Sequence, residues 1–497
     1  MIASSSIPDS ILTRVDRRGL FAIVYACAFL GSKFMGLSVG YALDDYAVSH
    51  PGAEGLAGFF ISQGRYTNAA LDWLLHASQL NMTSFAVVAF LATLIFSTLF
   101  YLEVFNPRST ARPSIVAAMA ALLGAHSYYT EYVTFRQSAL PMSVMFGLLF
   151  IAIRQYRMAM SGDNRMLRLL VATAAGVVAM GANQLALCYA AIGVLYLHMT
   201  AAAEMPAGSS LREQAKATGS AVLSTLLAGI ALSAGNLVLA KIMRMLLGVG
   251  SDGRATLVTL EQLPERAVQL MDLMPTLLIK AEPIASTPAK ALLLMGICAA
   301  LIPLTAPRRR VALIAVVFAL CGWAIALLPH AVSGTWWPVP RTLVAIPMVL
   351  AGVLGLSHGL GRWQAGIAAT LTAFAAVLFC AHSNAALTNQ QRINRWDIAQ
   401  AQEIAYRVAE RYPEGHQKLA VVGGNWAYPV APSAAQGDMN LSALSIGWAV
   451  DPLFDEATGT DLTVRVAPEL VELCASKAKF PALDSTIRSG DEIVVCL

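Results

Sequence analysis

Charge is what this chain has least of. Only 13% of its 497 residues are Asp, Glu, Lys or Arg, where a soluble chain of ordinary composition carries roughly a quarter. With 57% hydrophobic residues and a mean hydropathy of +0.61, the chain falls in the membrane class before any motif is considered. Other absences narrow the function. There is no G-x-x-x-x-G-K-[ST] loop and no dinucleotide fingerprint between a strand and a helix, so no nucleotide site is visible. The chain has no basic stripe, no run of base-stacking aromatics and no zinc-ligand spacing, which excludes a nucleic-acid partner. No internal repeat is visible, which argues against the repeat-built transporter folds.

Apolar runs are what the chain has instead. A bilayer span needs about 20 mostly apolar residues. About eleven such runs occur, near 19–40, 83–102, 113–128, 138–153, 167–182, 185–203, 218–240, 289–305, 311–329, 342–358 and 364–382. The pair within 167–203 reads as a hairpin turning at 181–184. Every second loop is short and basic. Arg14, Arg17 and Arg18 precede the first run, and Arg108 and Arg112 follow the second. Arg154, Arg157, Arg165 and Arg168 follow the fourth, Arg212 and Lys216 the sixth, Arg308 to Arg310 the eighth, and Arg362 the tenth. This is the positive-inside pattern. It places the N-terminus in the cytoplasm and, with an odd number of spans, the C-terminus outside. The first run carries Lys33 and lacks a small-x-small cleavage site, so it reads as a retained anchor.

The expected fold is therefore an all-α polytopic membrane domain over 1–382, with external loops 41–82 and 241–288. Residues 383–497 form a small α/β extracytoplasmic domain. Within the second loop, residues 261–280 have apolar positions at helical spacing and read as an amphipathic helix. In the terminal region, 394–412 and 468–478 read as helices, and 418–422, ending at Gly423-Gly424, and 492–497 as strands. Of seven cysteines, Cys27, Cys188, Cys298, Cys321 and Cys380 lie in apolar runs and read as small buried hydrophobes. Cys474 and Cys496 are the two in the polar terminal region, and an oxidising compartment would join them.

The chemistry begins at YALDDYAVSH, residues 41–50, directly after the first run. Asp44 and Asp45 are expected at the external membrane–water boundary, in contact with water. Neighbouring helical residues point about 100° apart, so the two cannot address one bond together. One can act as a general base while the other orients a helix end or an arginine; a solvated loop start or a helix cap is the competing reading. Arg65, in Gln63-Gly64-Arg65-Tyr66, suits a phosphate through paired charge-assisted hydrogen bonds. Lys33 lies within the first run, where an ionisable group is a functional candidate or a snorkelling one. Arg136, Lys241, Arg244 and Arg341 are also placed on the external face, where positive charge should be scarce, and form a candidate set for a lipid phosphate. Trp336 and Trp337, flanked by prolines, belong to an interfacial aromatic belt or stack on a sugar. Glu131 is the alternative acid or base. Adjacent aspartates can also bind a divalent cation, although no second ligand cluster accompanies them.

In layout the chain resembles the polytopic bacterial glucosyltransferases of the O-antigen serotype-conversion type, within the GT-C class. The resemblance rests on Asp44-Asp45 after the first span, Gly64-Arg65 before the second, the number of spans, and a terminal domain ending in Ile493-Val494-Val495-Cys496. It implies an enzyme of the bacterial inner membrane. That enzyme would move a hexose, typically glucose, from a polyprenyl-phosphate donor to an extracytoplasmic glycan such as the O-antigen of lipopolysaccharide, with inversion. Such a donor leaves as a phosphate, so one base and a cationic clamp suffice, unlike the two carboxylates of glycosidases. The rival classes are a transporter or flippase of lipid-linked glycans and a glycan polymerase or ligase.

Overall fold

The computed structural model describes residues 16–38, 40–49, 56–78, 80, 82–107, 111–162, 164–206, 209–252, 256–281, 285–302, 306–357, 361–413, 418–423, 439–459 and 462–497. Arg14, Arg108 and Gly424 of the sequence-based reading lie outside them. The helices, in chain order, are α1 (Arg17–Lys33, extended by a 3-10 turn at Phe34–Leu37), α2 (Leu43–Ser49), α3 (Leu56–Ser62), α4 (Tyr66–His76), α5 (Ala86–Phe105) and α6 (Pro113–Ala125). Next come α7 (Thr130–Thr134), α8 (Arg136–Ser161), α9 (Arg165–Ala182), α10 (Ala186–Ala203), α11 (Leu211–Leu247) and α12 (Leu263–Leu278). The last six are α13 (Thr287–Leu301), α14 (Ala306–Val332), α15 (Ile346–Leu356), α16 (Arg362–Arg411), α17 (Val450–Thr458) and α18 (Val471–Ala475).

Each of the eleven apolar runs falls on a helix. Among the described residues, 8 helices are long and apolar enough to cross a membrane: α1, α5, α8, α9, α10, α11, α14 and α16. The other three runs fall on α6, α13 and α15, of 13, 15 and 11 residues. All three have proline in the first two helical positions. Proline starts a helix readily, so each of these helices begins at or beside its proline. At the other end they stop at Ala125, Leu301 and Leu356, short of the ends of the apolar runs. The short helix α15 is nonetheless the most enclosed, packed against α6, α10, α13 and α14. By contrast α11 leaves Leu226, Ile230 and Val238 exposed, the surface expected of a helix facing lipid.

The boundary expected at 382/383 does not interrupt the helix there. α16 runs for 50 residues through it. Its sequence has no proline, and no glycine after Gly366, so the polar stretch His382-Ser383-Asn384 changes its surroundings without ending it. The first half of α16 packs on α1, α6 and α13, and the second half packs on α17. Beyond it lies a four-stranded sheet in the order β2-β1-β4-β3, with β1 Lys418–Val422, β2 Thr463–Val466, β3 Thr486–Ser489 and β4 Glu492–Cys496. β1 is central and parallel to β2 and β4, while β3 is antiparallel to β4. The strand pleat sorts the side chains. Leu419, Val421, Ile493 and Val495 face Ala401, Ile404 and Val408 of α16 together with Leu453 and Phe454 of α17. Ala420, Val422 and Val494 face the other way, with Cys474 and Cys496. Those two cysteines are joined by a disulfide, with Cα atoms 5.4 Å apart. The helix read at 468–478 is a 3-10 turn at Pro468–Leu470 followed by the short α18.

One helix of the external loop belongs to this terminal core as well. Leu43 and Tyr46 of α2 are buried in the same cluster as Ala401, Ile404 and Phe454.

Candidate active site

The two adjacent aspartates have different employments. Asp45 is fully buried, which corrects the expectation that both contact water. Its Oδ2 accepts the N–H of Ala42 at 2.9 Å and of Arg136 at 3.1 Å, and its Oδ1 accepts the N–H of Gln137 at 2.9 Å. The physical reason lies in α8. The first amides of a helix have no intrahelical partner, and the residue at the cap position here, Phe135, has no side-chain acceptor. Asp45 supplies the missing cap from a different segment, and its negative charge sits at the positive end of the helix dipole. Burial pushes the Asp45 carboxyl up to about 7, against the pull of these three amides. Asp44, one residue earlier, is half-buried; its Oδ2 lies 3.5 Å from Gln137 Nε2.

Arg65 is placed by the turn before it. Gly64 has φ +77°, in the left-handed region. Its N–H donates to Ile61 O at 2.9 Å, and Arg65 N–H donates to Phe60 O at 2.8 Å. This pair of bonds is the Schellman ending of a helix, for which glycine is the favoured residue. It stops α3 and starts α4 at the next residue, so Arg65 stands at the corner. The corner is docked on the end of α9. Tyr66 donates to Val177 O, Thr67 to Val178 O, and Gln184 to Gln63 O.

Arg341 is held more firmly. Its guanidinium is 4.7 Å from the ring centre of Phe135 and 4.6 Å from that of Trp337. Its backbone N–H donates to Glu131 Oε2 at 2.7 Å, and its Nη1 is 3.6 Å from Glu131 Oε1. Glu131 is fully buried. Its carboxylate therefore serves as an anchor for Arg341, rather than standing open as an acid or base. Burial raises the Tyr132 phenol, while its hydrogen bond with Asn183 and the charges of Arg341 and Arg65 pull it back. Tyr132 OH accepts from Asn183 at 2.8 Å.

These contacts converge on five residues of the segment 131–137. Glu131 anchors Arg341, Tyr132 lies in the field of both arginines, Phe135 stacks on Arg341, the amides of Arg136 and Gln137 bind Asp45, and the Gln137 side chain reaches Asp44. The Arg136 guanidinium lies 5.8 Å from the Tyr41 ring. Arg136 also lines an open, largely apolar cleft of about 200 Å³ with Phe29, Phe90, Tyr132, Phe135 and Thr83.

The remaining candidates have the following surroundings. Lys33 is fully buried, and its ammonium donates to Ser32 Oγ at 2.7 Å, Gly124 O at 3.0 Å and His126 O at 3.1 Å. Three donors meet three acceptors, and the charge sits at the carbonyl end of α6, where a cation is favoured. Arg244 is in the last turn of α11, which packs against α3. Trp337 gives a face to Arg341, and Trp336 gives one to Arg266, whose guanidinium lies 5.1 Å from the ring centre. Arg266 was not singled out from sequence; it stands on the amphipathic α12, and donates to Ser333 O and Gly334 O. Among the described residues no cluster of three or more His, Cys, Asp or Glu could hold a metal ion.

The fold and site together define a class: a polytopic helical protein of the membrane type, with an acidic helix and an anchored arginine, Arg341, brought together by the segment 131–137 that joins the short α6 to α8. The family model described as Glucosyl transferase GtrII matches residues 33–354, and the chain belongs to that family. It is a glucosyltransferase. The matched region holds α2, Arg65, the 131–137 turn and Arg341, and stops within α15, before α16 and the sheet. No curated protein matches the chain.

Proposed function

We propose that this glucosyltransferase takes glucose from a polyprenyl-phosphate donor and passes it to a glycan outside the bacterial inner membrane, such as O-antigen. In this reading the N-terminus is cytoplasmic, and the site and the terminal domain are periplasmic. Asp44 is the base, Arg341 and Arg65 hold the donor phosphate, and Arg136 borders the apolar cleft beside it. An acceptor hydroxyl oxygen attacks the anomeric carbon and the carbon–oxygen bond to phosphate breaks. The hydroxyl proton passes to Asp44, the bonding pair leaves with the polyprenyl phosphate, and the anomeric configuration inverts. The observation that carries this is the 131–137 turn. It ties to one segment both a carboxylate-bearing helix and an arginine stacked on two rings. An arginine so held loses little entropy on meeting a phosphate, and fixed charges stabilise a leaving group most where water is excluded.

The test is transfer in proteoliposomes. Purified protein receives polyprenyl-phosphate [14C]glucose and surface glycan from a strain that lacks this chain. Labelled glycan that requires Asp44 and Arg341 is the expected result. Labelling that is absent with this donor but present with another glucosyl donor would overturn the donor assignment.

A further inference from the structure

The acidic helix α2 is held from two sides by parts of the chain far apart in sequence. On one side Asp45 caps α8 of the membrane domain. On the other, Leu43 and Tyr46, three residues apart and so on one helix face, enter the core formed by α16, α17 and the sheet. Tyr46 is fully buried there, although tyrosine carries a hydroxyl that needs a partner. Its partner is Asn394 of α16, whose Nδ2 lies 2.7 Å from Tyr46 Oη and 3.1 Å from the Tyr41 carbonyl. One amide thus spans the start of α2, touching the residue before its cap and the fourth residue of the helix. The approach requires a glycine. A Cβ on Gly40 would fall 1.7 Å from Asn394 Oδ1.

Asn394 lies beyond the region that matches the family, which ends at residue 354. A seven-residue helix is too short to be stable by itself, so the direction of Asp44 depends on what packs against α2. We propose that the terminal domain is a working part of the active site, with Asn394 and Tyr46 as positioning residues that fix Asp44 through α2. This rests on the reading of Asp44 as the base. The domain does more than occupy the external surface: its seating against the membrane domain sets where the base points.

The experiment compares full-length Asn394→Ala, Tyr46→Phe, the double variant and Asp44→Asn in the transfer assay above. Backbone hydrogen exchange of each variant is followed alongside. Each single variant should lower kcat by on the order of 10-fold to 100-fold, the scale of a misplaced catalytic group, with donor KM within about twofold. The double variant should be no slower than the slower single variant, because both remove the same bond. Exchange should rise over 41–48 and stay unchanged in β1 and β4. Unchanged kcat, rate losses that multiply, or exchange rising through the sheet would overturn the proposal. If Asp44→Asn transfers at the wild-type rate, the base assignment fails. Exchange over 41–48 then decides alone whether Asn394 fixes α2, and unchanged exchange there overturns it.

Discussion

The Asp45 carboxylate lies 3.1 Å from the backbone N–H of Arg136, 91 residues further along the chain. Two residues that look unrelated in sequence are thus one helix terminus. The pair separates the roles of the neighbouring aspartates.

Asp45→Ala should leave the amides of Arg136 and Gln137 without their acceptor and cost about 1–3 kcal/mol, the range for a buried donor left unsatisfied. Asp44→Asn should leave thermal stability unchanged and lower turnover by about 10²–10⁴-fold, the usual effect of losing a general base. Thermal unfolding in detergent beside the transfer assay checks the contrast. Equal stability losses in the two variants would contradict it.

A pH dependence follows from the same residue. The folded Asp45 carboxyl titrates near 7, above the value of about 3.9 in an unfolded chain. The folded state therefore holds the proton more tightly, and the contribution of Asp45 to stability is fully present below about pH 4 and lost as pH rises through 7. Asp45→Asn keeps a carbonyl acceptor and cannot titrate. The difference in unfolding temperature between wild type and Asp45→Asn should shift in favour of the variant between pH 4 and 8. A flat difference would show that the carboxyl does not change protonation there.

Glu131 and Arg341 make the next contrast. Glu131→Gln keeps an acceptor for the Arg341 amide and removes the charge that steadies the guanidinium. Arg341→Lys keeps the charge and loses the planar group between Phe135 and Trp337. Both should raise donor KM, Arg341→Lys by about tenfold or more, which corresponds to about 1.4 kcal/mol of binding. Steady-state kinetics with varied donor measures this, and an unchanged KM in both would place the phosphate elsewhere.

The disulfide supplies a prediction for the terminal domain. Cys474 and Cys496 are 22 residues apart, and closing a loop of about that length stabilises a fold by roughly 3 kcal/mol in the chain-entropy model. Cys474→Ser should lower the unfolding temperature of the terminal domain. In protein unfolded without reductant, alkylation should leave these two thiols unlabelled. Full labelling would show them reduced.

The sequence by itself determined the helices and their apolar character, because a run of apolar residues must leave water whatever it packs against. It also determined the cysteine pair, since no other cysteine lies in the terminal region. Tertiary structure decided the rest. Asp44 and Asp45 are alike as letters; only the uncapped amides of α8, 91 residues away, separate one from the other. Lys33 and Arg341 are both cations near a helix end. Only the carbonyls around one and the rings around the other assign them different work. The helix continues through 382, where the apolar run ends, because hydropathy reports where a segment dissolves, while helix continuity depends on backbone hydrogen bonds that a polar side chain does not break. Burial and periodicity are local and can be read along a chain; the partner of a buried charge is non-local and appears only when the chain has folded.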